Sequence, residues 1–113
     1  MLFRSVGFEP PYADFRSLVA DLVDGGAGVI SIMHSTVDDT TAGLSALREY
    51  WDGPTGAYPE SGYFIMPNWQ FVDVIEPAAL AEEARRWIAD GVRMVGGCCG
   101  LGPEHIAAMR AVV

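Results

Sequence analysis

The sequence predicts an α/β fold in which helices alternate with parallel strands. Four segments have apolar residues at helical spacing, and three short runs of apolar and β-branched residues lie between them. The segments 24–29 and 90–95 repeat the same signal, an Asp-Gly helix stop followed by a strand. This alternation is typical of a parallel sheet with helical crossovers. If the architecture is a (β/α)8 barrel, three strands form only part of it.

The first half of the chain contains two predicted helix-strand pairs. A helix is expected from Ala13 to Val23, and the strand Val29–Met33 follows it. A second helix is expected to begin near Asp39 or Thr40. A weaker strand candidate, Thr55–Tyr58, lies after the Gly-Pro break that ends this helix.

The second half begins with a long excursion over residues 60–76, which is rich in aromatic residues and Pro and has no clear period. Long ordered loops tend to be functional. Three aromatic side chains are expected to pack this excursion rather than to bind a ligand: Tyr63, Trp69 and Phe71. A helix over Pro77–Asp90, a strand over Val92–Val95 and a final helix from Pro103 to about Val112 complete the prediction of three parallel strands and four helices.

Composition restricts the class of partner. The chain has 113 residues, half of them hydrophobic, and a net charge of −8, with no Lys/Arg cluster to contact phosphates. We therefore expect a globular domain that does not bind nucleic acid. No apolar run has the length of a membrane span, and the first residues do not resemble a signal peptide, so we expect no membrane association and a cytoplasmic location. Residues 1–12 are expected to be poorly ordered.

The chain's only two cysteines, Cys98 and Cys99, are adjacent and follow the last predicted strand. Gly96 and Gly97 allow a sharp change of backbone direction there, and Pro103 begins a helix shortly afterwards. Thiolates select soft metals such as zinc, and the carboxyl end of a strand is the usual place for an active site in this architecture. The alternative for such a pair is buried, inert thiols.

His34 follows the first predicted strand, and the carboxyl ends of parallel strands lie at one edge of a sheet. We therefore expect His34, Tyr58 and the two cysteines to converge. One His and two Cys with an open fourth position is the pattern of a catalytic zinc site, where an incoming thiol loses its proton. A hydrogen-bonded, non-ligating role remains the alternative for His34. His105 is expected to be solvated or locally hydrogen-bonded and is not counted as a ligand.

The segment from Gly96 to Gly100, followed by Pro103–Ile106, resembles the C-terminal signature of the homocysteine S-methyltransferases. The stretch Tyr58–Gly62 resembles the Tyr-Pro-Asn-Ser-Gly element of that family, and the resemblance extends from about residue 13 onward. It implies a zinc-dependent (β/α)8 barrel in which three cysteines bind the metal and the sulfur of homocysteine takes the fourth position. Cys98 and Cys99 match the paired ligands. Residues 1–113 would then be the C-terminal part of a homocysteine-binding domain.

Two positions depart from the family pattern. His34 stands where the first family cysteine is expected, and Glu60 stands where an Asn is usual. An imidazole can replace a thiolate on zinc but makes the centre one unit more positive, so the substrate thiolate would be held more tightly and be less nucleophilic. The N-terminal family strands that supply amino-acid-binding groups have no counterpart in these residues.

Three functions follow from these patterns. The first is a zinc-dependent S-methyltransferase that acts on homocysteine or a related thiol with a methyl donor, and Tyr58 is its candidate substrate-binding residue. The second is a zinc-binding, non-catalytic homologue or fragment. The third is a (β/α) phosphate binder, because a Gly-rich turn before a helix also cradles phosphate. An isolated partial barrel exposes sheet edges, so self-association or a missing N-terminal half is also expected.

Overall fold

The computed structural model describes residues 14–66 and 70–113. The helices are α1 (Phe15–Asp24), α2 (Val37–Arg48), α3 (Pro77–Ala89) and α4 (Pro103–Arg110). The strands are β1 (Ile30–Met33), β2 (Thr55–Tyr58), β3 (Tyr63–Ile65), β4 (Gln70–Val72) and β5 (Met94–Val95). The predicted disorder of residues 1–12 and the predicted packing of Trp69 lie outside the described residues. None of the described helices combines the length and the apolar character that crossing a membrane requires.

The main sheet has the strand order β1-β2-β5, and both pairings are parallel. Ile30 pairs with Thr55 and Met33 with Tyr58, while Ala57 pairs with Val95. A helix precedes each of these strands, and α4 follows the last one. The predicted α/β class, with three parallel strands and four helices, is therefore confirmed for this sheet.

The start of α2 was predicted too late. The helix begins at Val37 rather than near Asp39 or Thr40 because Thr36 is its N-cap. The Thr36 hydroxyl accepts a hydrogen bond from the Asp39 N–H at 3.1 Å. This bond satisfies one of the N–H groups that have no partner within the helix.

The core lies between the helices and one face of the sheet. Ile30, Ile32 and Ala57 are buried on that face. Helical side chains complete the cluster: Val19, Leu44, Leu47, Leu80, Ala84, Trp87 and Met109. The indole N–H of Trp87 donates to the Thr41 hydroxyl at 2.9 Å, which links α3 to α2. Each helix thus contributes to one continuous apolar layer, which holds the strands at fixed positions.

The opposite face of the sheet carries Ser31, Gly56 and the ring of Tyr58. A Cβ atom on Gly56 would lie 2.4 Å from Ser31 Oγ and 3.2 Å from Tyr58 Cε2, and a Cβ on Gly96 would lie 2.4 Å from Tyr58 Cε1. The Tyr58 ring therefore lies across both glycines. Met94 is 39% exposed. Within residues 14–66 and 70–113, no helix covers this face in the way that the core helices cover the other.

The excursion over residues 60–76 contains a feature that the sequence analysis did not predict. Strands β3 and β4 pair antiparallel, with Tyr63 opposite Val72 and Ile65 opposite Gln70. Tyr63 was expected to pack within the excursion. Its side chain is 58% exposed and is not part of the core. A hydrogen bond to Asp73, with that carboxylate's charge, raises the pKa of the Tyr63 hydroxyl. This interaction links β3 to the residue that follows β4.

We predict that Gly56→Val lowers the free energy of unfolding by about 1–3 kcal/mol, because the added side chain overpacks the space held by Ser31 and Tyr58. Urea unfolding monitored by circular dichroism measures the change. The control is Gly28→Val, since a Cβ at Gly28 meets no atom within 4 Å. Equal stability of the two variants would contradict the close packing at Gly56.

Candidate metal centre

The three parallel strands place their carboxyl ends at one edge of the sheet. His34 directly follows β1, Tyr58 ends β2, and Cys98 and Cys99 follow β5. His34 and Cys98 are 64 residues apart in sequence. Parallel pairing brings them together, as the sequence analysis expected.

Cys98 is at the middle of the resulting cluster. Its Sγ lies 3.3 Å from His34 Nδ1 and 3.9 Å from Cys99 Sγ. All three ligand atoms lie within 4.8 Å of one another. Tetrahedral zinc with ordinary Zn–S and Zn–N bond lengths separates its ligand atoms by about 3.5–3.8 Å. The donor types and their spacing therefore fit a zinc ion after only small movements of the side chains.

His34 has a backbone conformation that few residues adopt. Its φ is +57°, in the left-handed region. Such a conformation costs a non-glycine residue about 1–3 kcal/mol, so neighbouring contacts must hold it. The adjacent Ser35 supplies them: its carbonyl accepts from the Glu60 N–H at 2.8 Å, and its hydroxyl donates to the Met33 carbonyl at 3.2 Å. The turn that results brings the imidazole beside Cys98.

The loop after β2 also binds the cysteine segment through the main chain. The Cys98 N–H donates to the Pro59 carbonyl at 2.9 Å, and the Ser61 N–H donates to the Cys99 carbonyl at 3.0 Å. These bonds and the one from Glu60 to Ser35 make residues 59–61 a clamp between the two parts of the cluster. This role is not evident from the sequence, where the Tyr58–Gly62 stretch is its signal.

Gly100 allows the clamp to close. Its φ is +83°, and a Cβ atom at this position would lie 1.9 Å from the Ser61 carbonyl oxygen. The ring of Phe71 is also close, at 3.3 Å from that Cβ position. A side chain at position 100 would therefore separate the cysteine segment from the clamp.

The environment of Cys99 favours the protonated form of its thiol. Partial desolvation raises the pKa of the Cys99 thiol, and the Cys98 side chain and the Glu60 carboxylate raise it further. Cys98 is half-buried and Cys99 is exposed, and neither forms a disulfide. A bound cation would supply the positive charge that two adjacent thiolates require.

His105 is not part of the cluster, and of the two expectations for it, solvation or a local hydrogen bond, the structure has the local hydrogen bond. The residue is 4% exposed. Its Nδ1 accepts from the Gly102 N–H at 3.1 Å, which makes Nε2 the protonated nitrogen, and Nε2 donates to the Ile75 carbonyl at 2.7 Å. The local hydrogen bond was expected, but the second bond fixes the start of α4 to the chain before α3. The signal in the sequence was His at the third helical position, from which a side chain can reach back to the helix start.

Glu60 lies at the boundary of the cluster and a neighbouring cavity. The cavity has a volume of about 310 Å3, and Thr36, Asp38, Ser61 and Glu83 also line it. The Glu60 side chain is half-buried. Its carboxylate is not among the atoms grouped within 4.8 Å of one another, although its charge acts on Cys99. Glu60 was noted in the sequence only as a departure from a family pattern.

The structure is that of an α/β protein with a candidate soft-metal centre. One imidazole and two thiols form this centre at the carboxyl edge of a parallel sheet. The family profile of homocysteine S-methyltransferase matches residues 13–113. The chain therefore belongs to the homocysteine S-methyltransferase family.

Individual relatives agree with this assignment. The homocysteine S-methyltransferase of Escherichia coli strain K12 is 35% identical over 78 residues, which are 66% of this chain and 25% of that protein. The crystal structure of the E. coli homocysteine methyltransferase MmuM in its metallated form is similar with a TM-score of 0.65 and 31% identity, over 85% of this chain and 28% of that one. Its oxidized form gives 0.66 and 33%, over 85% and 29%. The chain thus spans about a quarter of the length of the curated relative.

We predict that His105→Ala lowers the free energy of unfolding by about 1–3 kcal/mol, because the Ile75 carbonyl and the Gly102 N–H lose their buried partner. Thermal and urea unfolding provide the measurement. Ile106→Ala is the matched control, since Ile106 is the next residue of α4 and is 46% exposed. If the two variants lose the same stability, the hydrogen bonds of His105 are not what holds α4 in place.

Proposed function

We propose that this chain is the C-terminal portion of a zinc-dependent homocysteine S-methyltransferase, with residues 1–113 forming part of a (β/α)8 barrel. The observation that carries the proposal is the juxtaposition of His34 Nδ1, Cys98 Sγ and Cys99 Sγ at the edge of the sheet. Membership of the family supports the reaction, and the metallated form of the E. coli relative supports the presence of a metal.

In this proposal His34, Cys98 and Cys99 hold the zinc and leave a fourth position for a thiol, as in catalytic zinc sites. When bound, zinc keeps the incoming thiol deprotonated at neutral pH. The clamp of residues 59–61 keeps the ligand atoms together before any metal arrives. The half-buried ring of Tyr58 is proposed as a wall for the substrate, because it ends β2 beside Gly96.

The reaction is methyl transfer to sulfur. The homocysteine sulfur forms a bond to the methyl carbon as the bond from that carbon to the donor breaks, and the donor leaves with the bonding electron pair. The thiol proton is released to solvent. The donor is left open among S-methylmethionine, S-adenosylmethionine, betaine and a methylated folate.

The phosphate-binding alternative has less support. The Gly102 N–H at the start of α4 already donates to His105. The Glu104 carboxylate lies close to this helix start. Its oxygens are 2.9 and 3.0 Å from the position that a Cβ atom on Gly102 would occupy. A negative charge there repels phosphate. The non-catalytic zinc-binding alternative keeps the same ligands and is separated from the main proposal by an activity assay.

A cytoplasmic location is part of the proposal because the proposed centre needs both cysteines as thiols. Reducing compartments maintain thiols in that state, whereas secreted proteins usually pair them.

We predict near-stoichiometric zinc in the purified chain, measured by elemental analysis, because three donors already lie at coordinating distances from one another. The Cys98→Ser/Cys99→Ser variant should lose the metal, since a hydroxyl is a far poorer ligand for zinc than a thiolate. His34→Ala should bind zinc more weakly through the loss of one ligand. A folded wild type without zinc would overturn the proposed site.

The same three proteins separate the catalytic function from the non-catalytic alternative. Each is incubated with homocysteine and with each candidate methyl donor, and methionine is measured by mass spectrometry. Methionine formed by the wild type and absent with Cys98→Ser/Cys99→Ser supports methyl transfer. Stoichiometric zinc with no methionine for any donor favours a metal-binding portion that does not act by itself.

The sheet edges lead to a further prediction of self-association. β1 and β5 each pair only with β2 within the described residues, and parallel sheets are normally covered on both faces. We expect the chain alone to form oligomers, measured by size-exclusion chromatography with light scattering. Met94→Lys adds a charge at an exposed position on β5 and should reduce association. A monomeric wild type with cooperative unfolding would contradict this prediction.

A further inference from the structure

We infer that Ser61 and His105 are positioning residues for the proposed zinc ligand Cys99, which they hold through the main chain of Ile75. This inference rests on the zinc site proposed above and deepens it. His105 lies in the segment that resembles the family signature, yet the proposed chemistry gives it no role. It is not among the three grouped donor residues, so its effect on the centre passes through the backbone.

Four hydrogen bonds join five residues in a closed ring. The Ser61 N–H donates to the Cys99 carbonyl at 3.0 Å, and the Ser61 hydroxyl oxygen accepts from the Ile75 N–H at 2.8 Å. His105 Nε2 donates to the Ile75 carbonyl at 2.7 Å, and its Nδ1 accepts from the Gly102 N–H at 3.1 Å. The chain from Cys99 to Gly102 completes this hydrogen-bonded ring.

Ile75 is the point at which the two side chains meet. Its N–H is bound by Ser61 and its carbonyl by His105, while its own side chain packs against the core. Ile75 lies between β4 and α3, far in sequence from the cysteines. Loss of either side-chain bond opens the ring, because the remaining bond then no longer holds the cysteine segment from both ends.

Cys99 depends on the hydrogen-bonded ring more than Cys98 does. Cys98 is half-buried, and its N–H donates directly to the Pro59 carbonyl. Cys99 is exposed, so packing restricts its backbone less. The next residue is Gly100, whose backbone is intrinsically free to adopt many conformations. The position of the Cys99 sulfur therefore depends on the bonds that hold the two ends of residues 99–102.

The two hydrogen bonds of His105 can be removed separately. His105→Asn keeps a side-chain oxygen near the position of Nδ1, which can accept from the Gly102 N–H, but the side chain is too short to reach Ile75. His105→Gln places an amide N–H near the position of Nε2 and so keeps a donor for the Ile75 carbonyl. Ser61→Ala removes the hydroxyl but keeps the N–H that binds Cys99.

The experiment measures the zinc affinity of the whole chain by competition with a chromophoric chelator. We expect His105→Asn and Ser61→Ala each to bind zinc about 10-fold more weakly, at the lower end of the effect of residues around the ligands of a metal. His105→Gln should recover most of the affinity. The double variant His105→Asn/Ser61→Ala should bind no more weakly than either single variant, because both act through Ile75.

Two further measurements separate positioning from a general loss of stability. Trp87→Phe removes the hydrogen bond to Thr41 near the C-terminal end of α3, whereas Ile75 precedes the first residue of that helix. This control should lower the melting temperature and leave the zinc affinity unchanged. In the metal-free protein, hydrogen exchange followed by NMR should be faster at the Ser61 amide in His105→Asn than in the wild type, although Ile75 lies between the two residues.

The outcomes distinguish the proposed site from the positioning role. A folded wild type that binds no zinc overturns the site and the role together, whereas equal zinc affinity in the wild type and both single variants overturns the role alone. Losses that add in the double variant mean that Ser61 and His105 act independently, which contradicts the ring. A weaker affinity in His105→Gln than in His105→Asn would assign the effect to Gly102 instead of Ile75. An equal loss in Trp87→Phe, or unchanged exchange at the Ser61 amide, also overturns the inference.

Discussion

Parallel pairing of β1, β2 and β5 is the constraint on which the candidate centre depends. His34 and Cys98 approach each other because both follow strands that run in the same direction beside β2. An antiparallel arrangement would place their strand ends at opposite edges. The helices maintain the pairing through the core on one face of the sheet, where Ile32 and Leu47 are fully buried. Packing far from the sulfur atoms thus decides whether the three donors meet.

Main-chain hydrogen bonds bring the donor atoms closer together than the parallel sheet alone does. Parallel strands bring loops to the same edge, but they do not place atoms at coordinating distances. The clamp of residues 59–61 does so with three backbone hydrogen bonds of 2.8–3.0 Å. Gly100 allows this approach because it has no side chain. A Cβ atom there would clash with the Ser61 carbonyl oxygen. The candidate centre is therefore organised largely by main-chain hydrogen bonds rather than by its donor side chains.

The sequence predicted those features that arise from periodicity and strand order. The α/β order, the strand Thr55–Tyr58 and the convergence of His34 with the cysteines all follow from such patterns. The hairpin of β3 and β4 could not be predicted from the sequence, because strands of three residues are too short to show alternation. The burial of His105 depends on the Ile75 carbonyl, 30 residues away, which no local pattern reveals. Close contacts such as that of Gly100 require coordinates.

The left-handed backbone of His34 has a consequence for how this position would change over generations. Glycine or asparagine would adopt a φ of +57° at lower cost, but neither supplies an imidazole. Retaining histidine there keeps this backbone cost, which the ligand role proposed above would justify. In a lineage that had abandoned metal chemistry, mutation would drift toward the residues that the turn prefers. If the proposed zinc site is correct, the identity of residue 34 in descendants of this chain records whether selection still acts on the site.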